Sequence, residues 1–268
     1  MTTIDFEKAI DDLLLSIKNN YPPKLFSAME YAVKSGGKRI RPQLCFLSAD
    51  FCDVARESVL PLALAIELIH SYSLVHDDLP CMDNDTLRRG KPTVHVAFGE
   101  ATALLVGDAL LNLAYETLFS AAKENPDLLP ACKLIAECAG GLGMIGGQAM
   151  EFENDSFTED DLLILDKKKT GMLIKCAVLS PAYLSGSPEK ISALSSFADY
   201  SGLAFQLADD LIDADKEEKT SFVSVCGKEK TSSLLFSLQS KARMSLSKWP
   251  ESNKDLLSFF DKLAFRNN

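Results

Sequence analysis

The sequence lacks any excess of positive charge. Its 268 residues carry 28 Lys and Arg against 38 Asp and Glu, a formal net charge of −10. A general nucleic-acid binder needs a basic surface, so that class is excluded as an expectation. The chain also has no uninterrupted apolar run near the roughly 18 residues of a membrane span. The best stretch, Leu60 to Ile69, is broken by Glu67. No membrane span is therefore expected. Met1 to Ile10 carries Asp5 and Glu7 and no basic segment, unlike a secretory signal. Seven cysteines form no CxxC pair, which favours reduced thiols and a cytoplasmic location over a disulfide framework. Three histidines are too few for a His-rich metal centre. Period-two alternation and Ser/Gly linkers are both nearly absent, which argues against a sheet and against a domain boundary.

What is present is helical. Ile4, Phe6, Ile10, Leu13, Leu14 and Ile17 recur at three- and four-residue steps and predict an amphipathic helix capped by Thr2 or Thr3. Pro22 and Pro23 end it and open a second helix that stops at Gly36-Gly37. A further helix follows Pro42, and Pro61 stands near the first turn of a long one reaching about Asp78. Residues 80–92 read as a polar loop. Helical stretches follow over 100–123, 128–154, 159–185 and 188–213, with weaker helices beyond. Pro181 predicts a kink or break near Ser180. The expected fold class is all-α, as a single domain over 1–268.

Two acidic clusters stand out. Asp77 and Asp78 end the long apolar helix and Asp83 follows. A helix C-terminus already carries negative partial charge, so two carboxylates there call for a compensating cation. Oxygen-only donors suit Mg2+ beside phosphates; a solvated acidic helix end is the plainer alternative. Asp209, Asp210 and Asp213 repeat the device, with Gln206 one turn back. Asp209 and Asp213 lie at i, i+4, where like charges repel unless a cation intervenes. Two such devices suggest walls of one metal-filled cavity holding a polyphosphate.

Three basic turns accompany them: Gly36-Gly37-Lys38-Arg39-Ile40-Arg41, Leu87-Arg88-Arg89-Gly90-Lys91, and Lys167 to Thr170. Each alone reads as a solvated charged turn. Together they supply forks and point charges for phosphate oxygens. No Walker A frame exists. Gly141 to Gly146 spells a dinucleotide fingerprint but follows a helical stretch, not a strand. Asp83-Asn84-Asp85 lacks the glycine and ligands of a calcium loop.

On these motifs the sequence resembles the trans-type short-chain polyprenyl diphosphate synthases, of the bacterial farnesyl and geranylgeranyl diphosphate synthase kind. Asp77-Asp78-x4-Asp83 with Arg88-Arg89-Gly90-Lys91-Pro92-Thr93 resembles the first aspartate-rich motif. Phe205-Gln206-x2-Asp209-Asp210-x2-Asp213 resembles the second. Gly36 to Pro42, Gly146-Gly147-Gln148 and Lys169-Thr170-Gly171 match further motifs in the same order, so the resemblance covers about residues 30–222. It implies an isoprenoid synthase helix bundle with a central catalytic cavity, as a homodimer. Asp77, Asp78, Asp83, Asp209 and, partly through water, Asp213 would hold Mg2+, three ions per site, on an allylic diphosphate. Asp210 belongs to the same catalytic cluster. Arg88, Lys169, Thr170, Gln206 and Lys219 would hold that diphosphate directly. Lys38, Arg41, His70 and Arg89 would hold isopentenyl diphosphate.

The implied reaction ionises the allylic diphosphate, condenses it head-to-tail with isopentenyl diphosphate, and eliminates a proton. Tyr72 lies five residues before Asp77, about 7.5 Å down the helix. A large residue there resembles the floor that stops growth at farnesyl diphosphate, with small Ser73 beside it. Cys81-Met82-Asp83-Asn84-Asp85 looks more like geranylgeranyl-forming relatives. The chain departs from the family after Asp213, where the usual long loop shortens to Ala214 to Phe222 and Lys216 competes with Lys219 for the lysine role. Glu151 replaces the more frequent Asp after Gly-Gly-Gln, and Arg266 resembles the family's basic tail. A terpene cyclase would not need Lys38, Arg41 and Arg89. A non-catalytic regulatory subunit would be expected to have lost one aspartate motif.

Overall fold

The structure, a computed structural model, describes residues 5–153, 156–214 and 220–264. The chain divides into two compact units, residues 1–43 with 56–126 and residues 44–55 with 127–268. Helices dominate both.

The first unit holds α1 (Phe6–Ile17), α2 (Pro23–Lys34), the start of α3 (Ile40–Phe51), α4 (Arg56–Asp77), α5 (Val94–Phe98) and α6 (Glu100–Glu124). Asp5 caps α1 by accepting from the Lys8 N–H at 3.1 Å, so the helix begins later than a Thr cap would place it. Thr2 and Thr3 lie outside the described residues. α3 starts at Ile40, before Pro42, because a first-turn proline has no hydrogen bond to lose. α4 likewise starts at Arg56, and Pro61 lies inside it. The long apolar face of α4 packs on α6, with Leu62, Ile66 and Ile69 fully buried. The polar loop contains a minimal antiparallel ladder, β1 (Leu87–Arg88) with β2 (Lys91–Pro92), which alternation over so few residues cannot reveal. Tyr31 ties α2 to it, donating to the Pro92 carbonyl at 2.7 Å.

The second unit holds α7 (Leu129–Ala139), α8 (Met144–Glu153), α9 (Glu159–Asp166), a π-helical turn (Lys167–Gly171), α10 (Met172–Leu184), α11 (Pro188–Ile212), α12 (Phe222–Cys226), α13 (Lys228–Ser245) and α14 (Lys254–Ala264). The expected helix over 128–154 is broken at 140–143. There Gly143 and Gly146 approach the Cys138 and Gly141 carbonyls so closely that a Cβ would lie 2.0 and 1.9 Å away. Pro181 does not break α10, which runs on to Leu184 with its faces buried on both sides. Ser180 donates to the Cys176 carbonyl at 2.5 Å. α10 packs on α7 and α11, and α11 on α13.

By length and composition, Arg56–Asp77, Glu100–Glu124 and Pro126–Glu153 are each apolar enough to cross a membrane. Single charges interrupt each of them, so no unbroken apolar run marks them in the sequence. A helix apolar on every side also suits a protein core. In α4 that use is visible, with 67 % of the stretch buried.

Candidate active site

In the first unit, the apolar run of α4 ends at half-buried Asp77, and Asp78 follows it. The chain then folds back. The Asp83 N–H donates to the Asp77 carbonyl at 2.8 Å and the Asn84 N–H to the Leu79 carbonyl at 3.1 Å, which holds Asp83 beside the helix end. Asp78 is buried and its carboxylate is already engaged. Arg88 Nε donates to Oδ1 and Oδ2 at 2.7 and 2.9 Å, and Arg88 Nη2 lies 2.5 Å from Oδ1. Burial pushes the Asp78 carboxyl up, and Arg88 opposes it. Asp77 and Asp83 keep partial exposure.

The wall of an open cleft of about 460 Å³ includes Glu67, His70, Asp78, Arg88 and Arg89. His70 keeps some surface toward the cleft yet is ringed by protein. Burial, and then the charges of Arg41, Arg89, Arg88 and Arg39, hold it well below its ordinary pKa, so it is a neutral imidazole. Arg89 reaches the Gly36 carbonyl in the basic turn. Gly37 faces the same guanidinium, and a Cβ there would meet Nη1 at 2.7 Å. Lys38 is exposed, and its carbonyl is fixed by Gln43 Nε2 at 2.7 Å. The structure therefore brings His70 and Arg89 to one cleft and joins Arg89 to the turn that carries Lys38 and Arg41.

Tyr72 is 5 % exposed, and its hydroxyl has no hydrogen-bond partner. Burial pushes that hydroxyl up. The ring meets His76 edge-on, with centroids 5.8 Å apart. His76 Nε2 donates to the Leu104 carbonyl at 3.0 Å and lies over Gly107, where a Cβ would sit 2.0 Å from that nitrogen. His76 is thus a packing residue between α4 and α6. Ser73 donates to the His70 carbonyl at 3.0 Å.

In the second unit, Asp209 and Asp210 occupy the last turn of α11 and Asp213 is its C-cap. Asp210 is buried and engaged, like Asp78. Gln206 Nε2 donates to its Oδ1 at 2.9 Å and the Phe222 N–H to its Oδ2 at 3.1 Å. Burial pushes Asp210 up, against those two hydrogen bonds. Thr170 donates to Gln206 Oε1 at 2.9 Å, so Thr170, Gln206 and Asp210 form one chain of contacts. Lys169 donates to Glu151. The π-helical turn that presents Lys169 and Thr170 lies against Gly147, where a Cβ would sit 2.4 Å from the Lys169 nitrogen. Lys219, Lys216 and Arg266 lie outside the described residues.

Sequence reasoning missed Asp166. It is 7 % exposed, and burial with the nearby Asp210 and Glu151 charges pushes it up to about 7 against the pull of Lys169. Its Oδ2 has no hydrogen-bond partner. The only signal in the sequence is a carboxylate preceding three lysines, which reads as a charged turn.

Among the described residues no three His, Cys, Asp or Glu side chains converge as a metal shell. Mg2+ takes one or two carboxylates and fills its remaining positions with water and substrate phosphate. The oxygen-only donors at both helix ends fit that ion.

The polyprenyl synthetase family profile matches residues 22–227. A geranylgeranyl diphosphate synthase of Cyanophora paradoxa is 42 % identical over 211 residues, covering 76 % of this chain and 70 % of that protein. A farnesyl diphosphate synthase of Bacillus subtilis is 38 % identical over 223 residues, covering 80 % and 75 %. A geranyltransferase of Helicobacter pylori, solved in complex with magnesium and isoprenyl diphosphate, superimposes with a TM-score of 0.81 at 31 % identity, covering 98 % and 99 %. The fold is that of the all-α isoprenoid synthases. The chain belongs to the polyprenyl synthetase family and is, with it, a prenyltransferase of isoprenoid biosynthesis.

Proposed function

We propose that this chain condenses isopentenyl diphosphate with dimethylallyl or geranyl diphosphate to give farnesyl diphosphate, in a Mg2+-dependent reaction. The observation that carries the chemistry is the repeated helix-end device. In each unit an apolar helix ends in Asp-Asp, and the second aspartate is buried and locked to a diphosphate-binding candidate, Arg88 or Gln206. Asp77, Asp78 and Asp83 of the first unit and Asp209 and Asp213 of the second are the Mg2+ ligands in this reading, with Asp210 holding Gln206 in place. Both units then serve one synthase domain.

When bound, Mg2+ would neutralise negative charge developing on the departing diphosphate. Arg88, Lys169, Thr170, Gln206 and Lys219 hold that diphosphate, and Lys38, Arg41, His70 and Arg89 hold isopentenyl diphosphate. Fixed cations and donors stabilise the leaving group without reorganising. The allylic carbon–oxygen bond breaks, the isopentenyl double bond forms a carbon–carbon bond to the resulting cation, and released diphosphate accepts the proton lost. Neutral His70 donates one hydrogen bond without adding charge. The apolar faces of α4 and α6 exclude water that would quench the cation.

Farnesyl diphosphate is favoured because Tyr72 is buried and braced by His76 below Asp77. Geranylgeranyl diphosphate is the second reading, favoured by the sequence Cys81 to Asp85. A homodimer is proposed with the family; Leu104, Leu105 and Phe119 on α6 are exposed and suit such a contact. Seven free cysteines favour a reducing compartment such as the cytoplasm. The test incubates the protein with labelled isopentenyl diphosphate, Mg2+ and each allylic primer. Elongation to farnesyl diphosphate is expected, and chelation should stop it. No elongation with any primer would overturn the reading.

A further inference from the structure

Glu67 is the single charge inside the apolar run of α4, and it is 4 % exposed. A buried carboxylate is costly unless it is paired. Its partner is Arg39, whose Nη1 donates to Glu67 Oε1 at 2.7 Å. The same guanidinium donates from Nε and Nη2 to the two Glu7 oxygens at 2.7 and 3.2 Å, and from Nη2 to the Val33 carbonyl at 2.9 Å. Each of its three guanidinium nitrogens donates within the protein, and its side chain is 9 % exposed. Arg39 nonetheless sits in the basic turn, between Lys38 and Arg41. Its φ of +46° is a left-handed conformation that a side-chain-bearing residue keeps only when its surroundings enforce it.

Glu67 also lies one turn before His70 on α4, and both line the same cleft. Arg89 grips the turn from the other side through the Gly36 carbonyl. Its guanidinium is held below its ordinary pKa by burial; Arg39 and Arg88 add to that, and the Glu67 charge opposes it. Glu67 is thus the anion facing two cations of this region, Arg39 by direct contact and Arg89 through its charge.

We propose that the Glu7–Arg39–Glu67 triad is a latch that fixes the basic turn in its diphosphate-binding shape, with Arg39 and Glu67 as positioning residues that do not touch substrate. The proposal rests on the reading that Lys38, Arg41, His70 and Arg89 hold isopentenyl diphosphate. Glu7 lies on α1, outside the family-matched residues 22–227.

A purely structural ion pair is the competing account, and the two separate cleanly. Replacing a buried pair by apolar residues of similar volume tends to preserve stability. The double variant Arg39→Met/Glu67→Met should fold and melt close to wild type. Its KM for isopentenyl diphosphate should rise about tenfold, while kcat and the KM for the allylic primer stay within about twofold. Glu7→Gln removes only the exposed arm and should raise the same KM by about two- to threefold. If the double variant does not fold, Glu7→Gln decides alone. An unchanged isopentenyl KM in the folded double variant, or in Glu7→Gln when only that one folds, overturns the latch. Two further readouts do not depend on turnover: calorimetric binding of inorganic diphosphate, and amide exchange over residues 36–41. Both should worsen in the variants. Should wild type elongate no primer, the proposed function fails, and these two readouts still decide the latch.

Discussion

The two aspartate-bearing helix ends are built from the same parts and differ in what surrounds them. At the end of α4 the environment is cationic. Asp78 is tied to Arg88, neutral His70 stands among arginines, and Glu67 is the buried counter-anion. At the end of α11 it is acidic and hydrogen-bonded. Asp210 is tied to Gln206 and a backbone N–H, and Asp166 adds a second buried carboxyl pushed up to about 7. In both, the first aspartate of the pair keeps more surface and the second is committed to the protein. The contrast is one of local charge: the first end sets arginines beside its carboxylates, and the second gathers carboxyls held by neutral hydrogen-bond donors.

The largest expected effects separate the two aspartates of each pair. Asp77→Ala and Asp209→Ala should each lower kcat by at least about a hundredfold with little change in melting temperature. Asp78→Asn and Asp210→Asn should lose activity and also about 1–3 kcal/mol of stability, because each sets an amide N–H against a donor that the carboxylate now accepts from, Arg88 or the Phe222 N–H. Activity assays beside thermal melts check this, and equal stability loss in all four would break the comparison.

Next is Tyr72→Ala, which should lengthen the product as read by chromatography of the released alcohols. An unchanged chain length would remove Tyr72 as the floor. Gly107→Ala probes the brace beneath it. The new Cβ would collide with His76, and overpacking of this kind costs about 1–3 kcal/mol. Denaturant titration reads the loss.

The smallest effect is specific to the second unit. Asp166 ionises more readily in the unfolded chain than in the folded one, near 3.8 against about 7. Its contribution is therefore fully present below about pH 4 and is lost as pH rises to about 7. Asp166→Asn should flatten stability across that window and be more favourable at pH 7 than at pH 5. A matching slope in Asp166→Asn and wild type would place the titration elsewhere.

Helix content, the long α4, α6 and α11, and both aspartate motifs were legible in the sequence because an apolar run ending in charge is a local pattern. The residues that organise those motifs were not. Glu67 and Arg39 are 28 positions apart, and within a run Glu67 reads only as an interruption. Asp166 sits beside lysines whose charge hides its burial. The break at 140–143 depends on glycines touching carbonyls, and the persistence of α10 through Pro181 depends on burial on every side; neither is encoded in periodicity. The ladder at 87–92 is too short to alternate.

The central claim is that this chain joins isopentenyl diphosphate to an allylic primer with Mg2+. Its most direct test is a single-turnover assay with labelled isopentenyl diphosphate and geranyl diphosphate, resolved by product length. The account predicts Mg2+-dependent farnesyl diphosphate from wild type and none from Asp77→Ala. Absence of any elongated product, or equal product from wild type and Asp77→Ala, would contradict it.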